Sequence, residues 1–189
     1  MLLSILIPTI DERRESFKEL ILELTNQILD NKAEEKVEII SLCDKGILSI
    51  GAKRNELLMR VKREYFCFID DDDTVSSDYI TRILEGLETK PDCCSLRGVY
   101  TTNGTNPELF EHSIKYSEYK TASPTSGIRY ERYPNHLNVI KTLIGQQFTF
   151  PETNHGEDTE WATKVFNSRL LRTEYFIPEV IYHYQFKNK

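Results

Sequence analysis

No run of apolar residues in this chain approaches the roughly 20 needed to cross a bilayer. The opening MLLSILIP is too short for a signal peptide and lacks the basic leader and small-residue cleavage site of one. The four cysteines, Cys43, Cys67, Cys93 and Cys94, form no CxxC pair, and two of them sit inside apolar strand-like runs. That argues against zinc and disulfides, and for reduced thiols in the core of a cytoplasmic protein, free or docked at a membrane through partners. Glycine is scarce, 8 in 189 residues, and PTIDERRE after the first apolar run contains none, so no Gly-rich phosphate loop stands there. Positive charge is in deficit, with a net charge of −6 and no basic stripe. General attraction to nucleic acid or to an anionic membrane is therefore excluded, and an acidic metal nuclease is disfavoured. The length suffices for one domain with a sizeable core.

What is present is an alternation of apolar runs and amphipathic segments. Leu2 to Pro8 is a continuous apolar run, as in a strand buried on both faces. DERRESFKELILELTNQILDN follows, with Phe17, Leu20, Ile21, Leu24 and Ile28 at helical spacing. VEIISLC is a second strand and SIGAKRNELLMRVKRE a second helix with Ile50, Leu57, Leu58 and Val61 on its apolar side. YFCFI is a third strand, SSDYITRILEGLE a helix with capping residues at its start, and CCSLRGVY a fourth strand. Such alternation predicts an α/β fold with a mostly parallel sheet and right-handed crossovers. Beyond about residue 100 the pattern loosens. TTNGTNPELFEH, SEYKT and GIRYERY suggest hairpins and antiparallel strands, LNVIKTLIG a short helix or strand, GEDTEWATKVFNSRL a helix, and TEYFIPEVIYHYQF one or two final strands.

The most pointed feature is YFCFIDDDDT. An apolar strand ends in Asp70, Asp71, Asp72 and Asp73. Crowded carboxylates repel one another and need a cation or water nearby. In an open parallel sheet, ligands bind beyond the carboxyl ends of the strands. An extended chain would put Asp70 and Asp72 on one side, a pair of hard oxygen ligands suited to Mg²⁺ or Mn²⁺. A solvated acidic loop, with Asp73 or Asp78 capping a helix, is the alternative. Other stretches bear on the choice. Asp44 ends the second strand, and Lys53, Arg54 and Asn55 open the next helix, where phosphate can be received or surface salt bridges made. Glu157 and Asp158 stand at a helix start, which favours ionised carboxylates for a general base or for simple capping. As neighbours on a helix they face different ways, so their jobs should differ. His183 near the end of the last strand is either a satisfied core histidine or a metal ligand.

Taken in order, SILIPTIDE, CDKG, GAKRN, FCFIDDDD, GEDTEWA and YHY resemble the family-2 glycosyltransferases of GT-A fold, from Ser4 to about Tyr184. The resemblance implies a Rossmann-like GT-A domain over residues 1–189. Its nucleotide-binding half would span 1–100, and 101–189 would form a smaller antiparallel acceptor-side region carrying the base. It implies an inverting hexosyl- or N-acetylhexosaminyltransferase that uses Mn²⁺ or Mg²⁺ and a nucleotide-sugar, typically a UDP-sugar. The acceptor would be a carbohydrate, glycoprotein or glycolipid hydroxyl. By the same resemblance Pro8, Thr9 and Asp11 or Glu12 line the nucleotide, Asp44 contacts uracil, and Arg54 lies near base and diphosphate. In the DXD motif Asp70 takes ribose or a water-mediated metal contact and Asp72 ligates metal directly, with Asp71 able to stand in for either. Asp158 is the base, Glu157 binds a sugar, and His183 is a further metal ligand. His136 and Asn138 in RYPNHLNVIK, and Trp161, are acceptor candidates. The chain is short for the family and shows no Arg/Gln-rich lid after the base. The competing readings are a sugar nucleotidyltransferase, disfavoured by the glycine-free PTIDERRE, and a catalytically silent nucleotide-sugar module.

Overall fold

The computed structural model describes residues 2–121 and 127–187. The chain opens with β1 (Leu3–Ile10), a 3₁₀ turn (Asp11–Arg13), α1 (Arg14–Asp30), β2 (Val37–Asp44), α2 (Ile50–Arg60) and β3 (Tyr65–Phe68). After the aspartates come β4 (Thr74–Val75), α3 (Tyr79–Leu87), β5 (Cys93–Thr102) and β6 (Thr105–His112). The rest comprises β7 (Lys120–Thr121), β8 (Tyr130–Arg132), β9 (Val139–Lys141), α4 (Thr142–Gly145), α5 (Glu157–Ser168) and β10 (Glu174–Phe186).

All of these strands join one sheet in the order β2-β1-β3-β9-β5-β6-β8-β7, with β10 beside β5 and β4 beside β10. The sheet is mostly parallel by length. β1 pairs with β2 over eight residues and with β3 over four, and β10 pairs with β5 over ten, all parallel. The antiparallel pairings are short, apart from the β5–β6 hairpin. That hairpin turns at Asn103 and Gly104, both with positive φ (49° and 72°), the conformation an Asn-Gly pair supplies most cheaply.

Side-chain alternation along β1 explains the layers. Leu3, Ile5 and Ile7 pack with Leu20 and Leu24 of α1 and Ile80 and Ile83 of α3 on one face. Leu6 packs on the other face with Leu57 and Leu58 of α2 and Trp161 and Val165 of α5. β1 is buried on both faces because helices cover both, which is why it reads as an unbroken apolar run. Residues after 100 do not form a separate layer, since β9 lies between β3 and β5 within the same sheet. LNVIKTLIG supplies both a strand and a helical turn, β9 running directly into α4. The last segment is one strand, irregular around Pro178, where the missing N–H interrupts the ladder to β5.

Two local expectations need correction. Asp78 holds the N-cap position of α3 and its carbonyl accepts from the Arg82 N–H, but its carboxylate caps no backbone N–H and accepts from the Ser76 hydroxyl and the Arg82 guanidinium instead. Of the cysteines, three are buried, but Cys43 is exposed and its thiol donates to Asp11.

Candidate active site

β1, β2 and β3 all end on the same edge of the sheet, and a cleft of about 850 Å³ opens there. Pro8, Thr9, Glu12, Arg54 and the four aspartates line it. Asp11 and Asp44 stand outside its walls. The Asp44 carboxylate accepts from the backbone N–H groups of Gly46 and Leu48 and pairs with Lys53. Against a burial penalty, the Leu48 N–H, the Lys53 ammonium and the Gly46 N–H draw this carboxyl down to about 2. Asp44 thus folds its own loop, and Lys53 ties that loop to β1 by donating to the Thr9 carbonyl at 2.8 Å.

The aspartates do not alternate as an extended chain would. Their backbone turns, the Asp73 N–H donating to the Asp70 carbonyl at 3.1 Å, and each side chain goes its own way. Asp73 is buried and accepts from the Tyr182 hydroxyl (2.7 Å) and the Gln185 N–H (2.8 Å), which pins the turn to β10. Burial, and then the charge of Asp70, push its carboxyl well above the ordinary range. Asp71 and Asp72 share one guanidinium, with Arg13 Nη1 at 2.8 Å and 3.1 Å respectively. Burial also raises the Asp72 carboxyl, Arg13 counteracts it, and the charges of Asp70 and Asp71 add to the rise.

Asp70 points inward instead. It accepts from Arg54 Nη2 at 2.7 Å, and its other oxygen lies 3.7 Å from His136 Nε2. Burial opposes ionisation of Asp70, but the Arg54 charge outweighs it and drives the carboxyl below the usual range. Arg54 is itself 3% exposed, and its second nitrogen pairs with Glu157. His136 Nδ1 lies 3.8 Å from Asp158. Glu157, Arg54, Asp70, His136 and Asp158 therefore form a closed circuit, because Glu157 and Asp158 are consecutive at the start of α5. Glu157 is buried and faces the cleft; the Asp158 side chain is 32% exposed and faces a second cavity of about 270 Å³. As expected of helix neighbours, the two diverge.

Arg54 lines the cleft, with its two terminal nitrogens paired to Asp70 and Glu157. Several predicted site residues are placed differently. Trp161 is 0% exposed, its ring stacked 4.8 Å from Phe150, so it is a core residue and not a wall for an acceptor. Asn138 is also fully buried; it accepts from the Asn135 N–H and donates to the Cys94 carbonyl, and so shapes the loop that presents His136. His183 lies between Tyr182 and Tyr184, which both face the aspartate side of β10, so alternation turns His183 away. Arg13 and Tyr182 were not foreseen, and Lys53, expected to receive phosphate or make a surface salt bridge, is buried and pairs with Asp44 and the Thr9 carbonyl. Arg54 carried a signal, because it lies on the apolar stripe of α2, four residues after Ile50 and three before Leu57.

Among the described residues, no three or more His, Cys, Asp or Glu side chains are grouped to hold a metal ion. What exists is the partly exposed Asp72 and the buried Asp71 Oδ2, which has no hydrogen-bond partner. One or two carboxylates, with phosphate oxygens and water completing the shell, suit Mg²⁺ or Mn²⁺ better than a protein-only cage does. The residues present fit an ion of that kind.

Residues 48–170 match the sequence model of the family described as "Glycosyl transferase family 2". No curated protein sequence matches. Among solved structures, S. aureus TarS 1-349 in complex with UDP-GlcNAc is similar with a TM-score of 0.67 and 16% identity, over 100% of this chain and 60% of that one. The same protein in complex with UDP gives 0.66 and 15%, over 98% of this chain and 60% of that one. A longer TarS structure gives 0.64 and 15%, over 98% of this chain and 37% of that one. The chain thus spans well under two thirds of the length of these structures, and at this identity the likeness speaks to the fold.

Proposed function

The chain belongs to glycosyl transferase family 2, and on that premise we propose that it transfers a sugar from a nucleotide-sugar, a UDP-sugar, to an acceptor hydroxyl with inversion. The observation that carries this reading is the closed circuit between two cavities. Its Glu157 and Asp70 face the large cleft at the strand ends, and its Asp158 faces the smaller cavity. Donor and acceptor would meet across it. The UDP and UDP-GlcNAc complexes of TarS support uridine as the nucleotide and a hexose or N-acetylhexosamine as the sugar.

In this reading Asp158 takes the proton of the acceptor hydroxyl as its oxygen attacks the anomeric carbon. The bond from that carbon to the diphosphate breaks, and UDP leaves. A positioned base of this kind contributes about 10²–10⁴-fold. Arg54 holds Glu157 and Asp70 in place and keeps Asp70 ionised, so the floor of the cleft does not shift between turnovers. Asp72 and the open Oδ2 of Asp71 would hold Mg²⁺ or Mn²⁺, which when bound offsets the negative charge growing on the diphosphate. Arg13 already supplies a cation at the same two carboxylates. Pro8, Thr9 and Glu12 are the remaining nucleotide walls.

The test is a titration of UDP into the protein with and without Mn²⁺ or Mg²⁺, followed by a screen for UDP release from a panel of nucleotide-sugars. Binding of UDP and slow hydrolysis of one donor are expected. No heat of binding at millimolar UDP, with either metal, would overturn the reading.

A further inference from the structure

Two arginines pair with the turn of aspartates, and they are held in different ways. Arg54 is buried and uses two nitrogens, Nη2 for Asp70 and Nη1 for Glu157. The Arg13 side chain is 46% exposed and uses one nitrogen, Nη1, for both Asp71 Oδ1 at 2.8 Å and Asp72 Oδ2 at 3.1 Å. Among the described residues its Nε and Nη2 meet no partner. A guanidinium that bridges through a single nitrogen forgoes the parallel two-bond fork that makes such pairs strong. An ion pair open to water also adds little to stability. The backbone of Arg13 is fixed, since it ends the turn between β1 and α1 and its carbonyl accepts from the Ser16 hydroxyl at 3.0 Å. Its side chain alone is free to move.

The position of that side chain is what gives it a task. Arg13 and both of its partners line the large cleft. Asp71 is 2% exposed, and Arg13 satisfies only its Oδ1; its Oδ2 is buried with no hydrogen-bond partner. An unmatched carboxylate oxygen in that condition is costly unless something else completes it. Asp72 Oδ2, which Arg13 occupies, belongs to the more exposed of the two carboxylates. Two cations cannot sit together on that oxygen without strong repulsion. The guanidinium therefore stands where a divalent ion held by Asp71 and Asp72 has to enter. Lys53 and Arg54, in the same wall, are buried and paired with carboxylates, so Arg13 is the more lightly held charge.

Resting on the function proposed above, we propose that Arg13 is an exchangeable counter-ion: it holds Asp71 and Asp72 while the cleft is empty, yields them to the divalent cation, and turns its freed guanidinium to the diphosphate. Arg13 thereby couples the two ligands. Displaced by a metal ion alone, its guanidinium is left without an anionic partner. Displaced in the presence of nucleotide, it meets phosphate oxygens that its planar fork can bind with two parallel hydrogen bonds. Metal and nucleotide therefore strengthen one another's binding, by the same factor in both directions.

The test follows Mn²⁺ binding through the electron paramagnetic resonance signal of the free ion, with and without UDP, against a blank of UDP and Mn²⁺ without protein. Wild type is compared with Arg13→Gln, Arg13→Lys and Arg14→Gln. Arg13→Gln should bind Mn²⁺ alone about threefold tighter or more, because the competing cation is gone. The gain in Mn²⁺ affinity that UDP brings should shrink in the same variant by about threefold or more. Arg13→Lys should lie between it and the wild type. Arg14→Gln removes the same charge one residue along and should match the wild type. Equal or weaker binding of Mn²⁺ alone by Arg13→Gln, including no binding by either protein, overturns the proposal. So does an unchanged gain from UDP, or an Arg14→Gln protein that behaves as Arg13→Gln does. Calorimetric binding of UDP by the wild type reads the donor assignment separately, and it can succeed where the exchange fails.

Discussion

Arg54→Met removes the guanidinium at the centre of the circuit and keeps side-chain length. The methionine has a place to pack, because the Arg54 guanidinium carbon lies 5.8 Å from the Phe68 ring centre and 5.9 Å from that of Phe150. What it cannot replace is the charge between Glu157 and Asp70, whose side chains are only 6% and 22% exposed. Breaking a buried pair from one side costs about 3–5 kcal/mol, since the remaining charge stays buried and uncompensated. Water reaching Asp70 relieves part of this, so about 4 kcal/mol is expected. For a chain of this size that lowers the melting temperature by roughly 8–16 °C. The loss should also depend on pH, with a definite sign. In the native protein Asp70 is held below its unfolded value, so its stabilisation is present at neutral pH and is lost as pH falls through the carboxylate range. In the variant burial prevails, and protonation of Asp70 relieves the strain. The gap between the two proteins should therefore narrow on going from pH about 8 to about 5. Adding Glu157→Gln to the variant should restore part of the stability, since it removes one orphaned charge. Thermal melts of the single and double variants across that range decide the matter. An Arg54→Met protein that melts within about 2 °C of wild type, or with a deficit independent of pH, would refute the reasoning.

Asp158→Asn should lower sugar transfer by about 10²–10⁴-fold while UDP still binds; a wild-type rate would remove Asp158 from the role of base. Asp72→Ala should weaken UDP binding about tenfold or more in the presence of Mn²⁺, read by calorimetry, and unchanged affinity would count against a metal at Asp72. Gly51→Ala places a Cβ 1.7 Å from the Pro151 carbonyl oxygen, a backbone atom that cannot rotate aside. A loss of about 1–3 kcal/mol or more is expected in a urea melt. Tyr182→Phe leaves Asp73 Oδ2 without its hydroxyl donor, and should cost about 1–3 kcal/mol with no change in the slope of the unfolding transition.

The sequence by itself determined the layering of this protein. Unbroken apolar strands such as Leu3–Ile10 and helices with a single apolar stripe can only bury themselves as a sheet covered on both faces, and local periodicity carries that information. It also placed the aspartates and the Glu157–Asp158 pair at element ends, where ligands are met. Tertiary structure decided which partner each charge takes. Asp70, Asp71, Asp72 and Asp73 are chemically identical, and only the turn from Asp70 to Asp73 sends one to Arg54, two to Arg13 and one to Tyr182. Those partners lie 16, 58, 59 and 109 residues away in sequence, and no local pattern records such a distance. Trp161 and Asn138 were misread for the same reason. Burial is a property of what packs around a residue, and that is set by the whole chain.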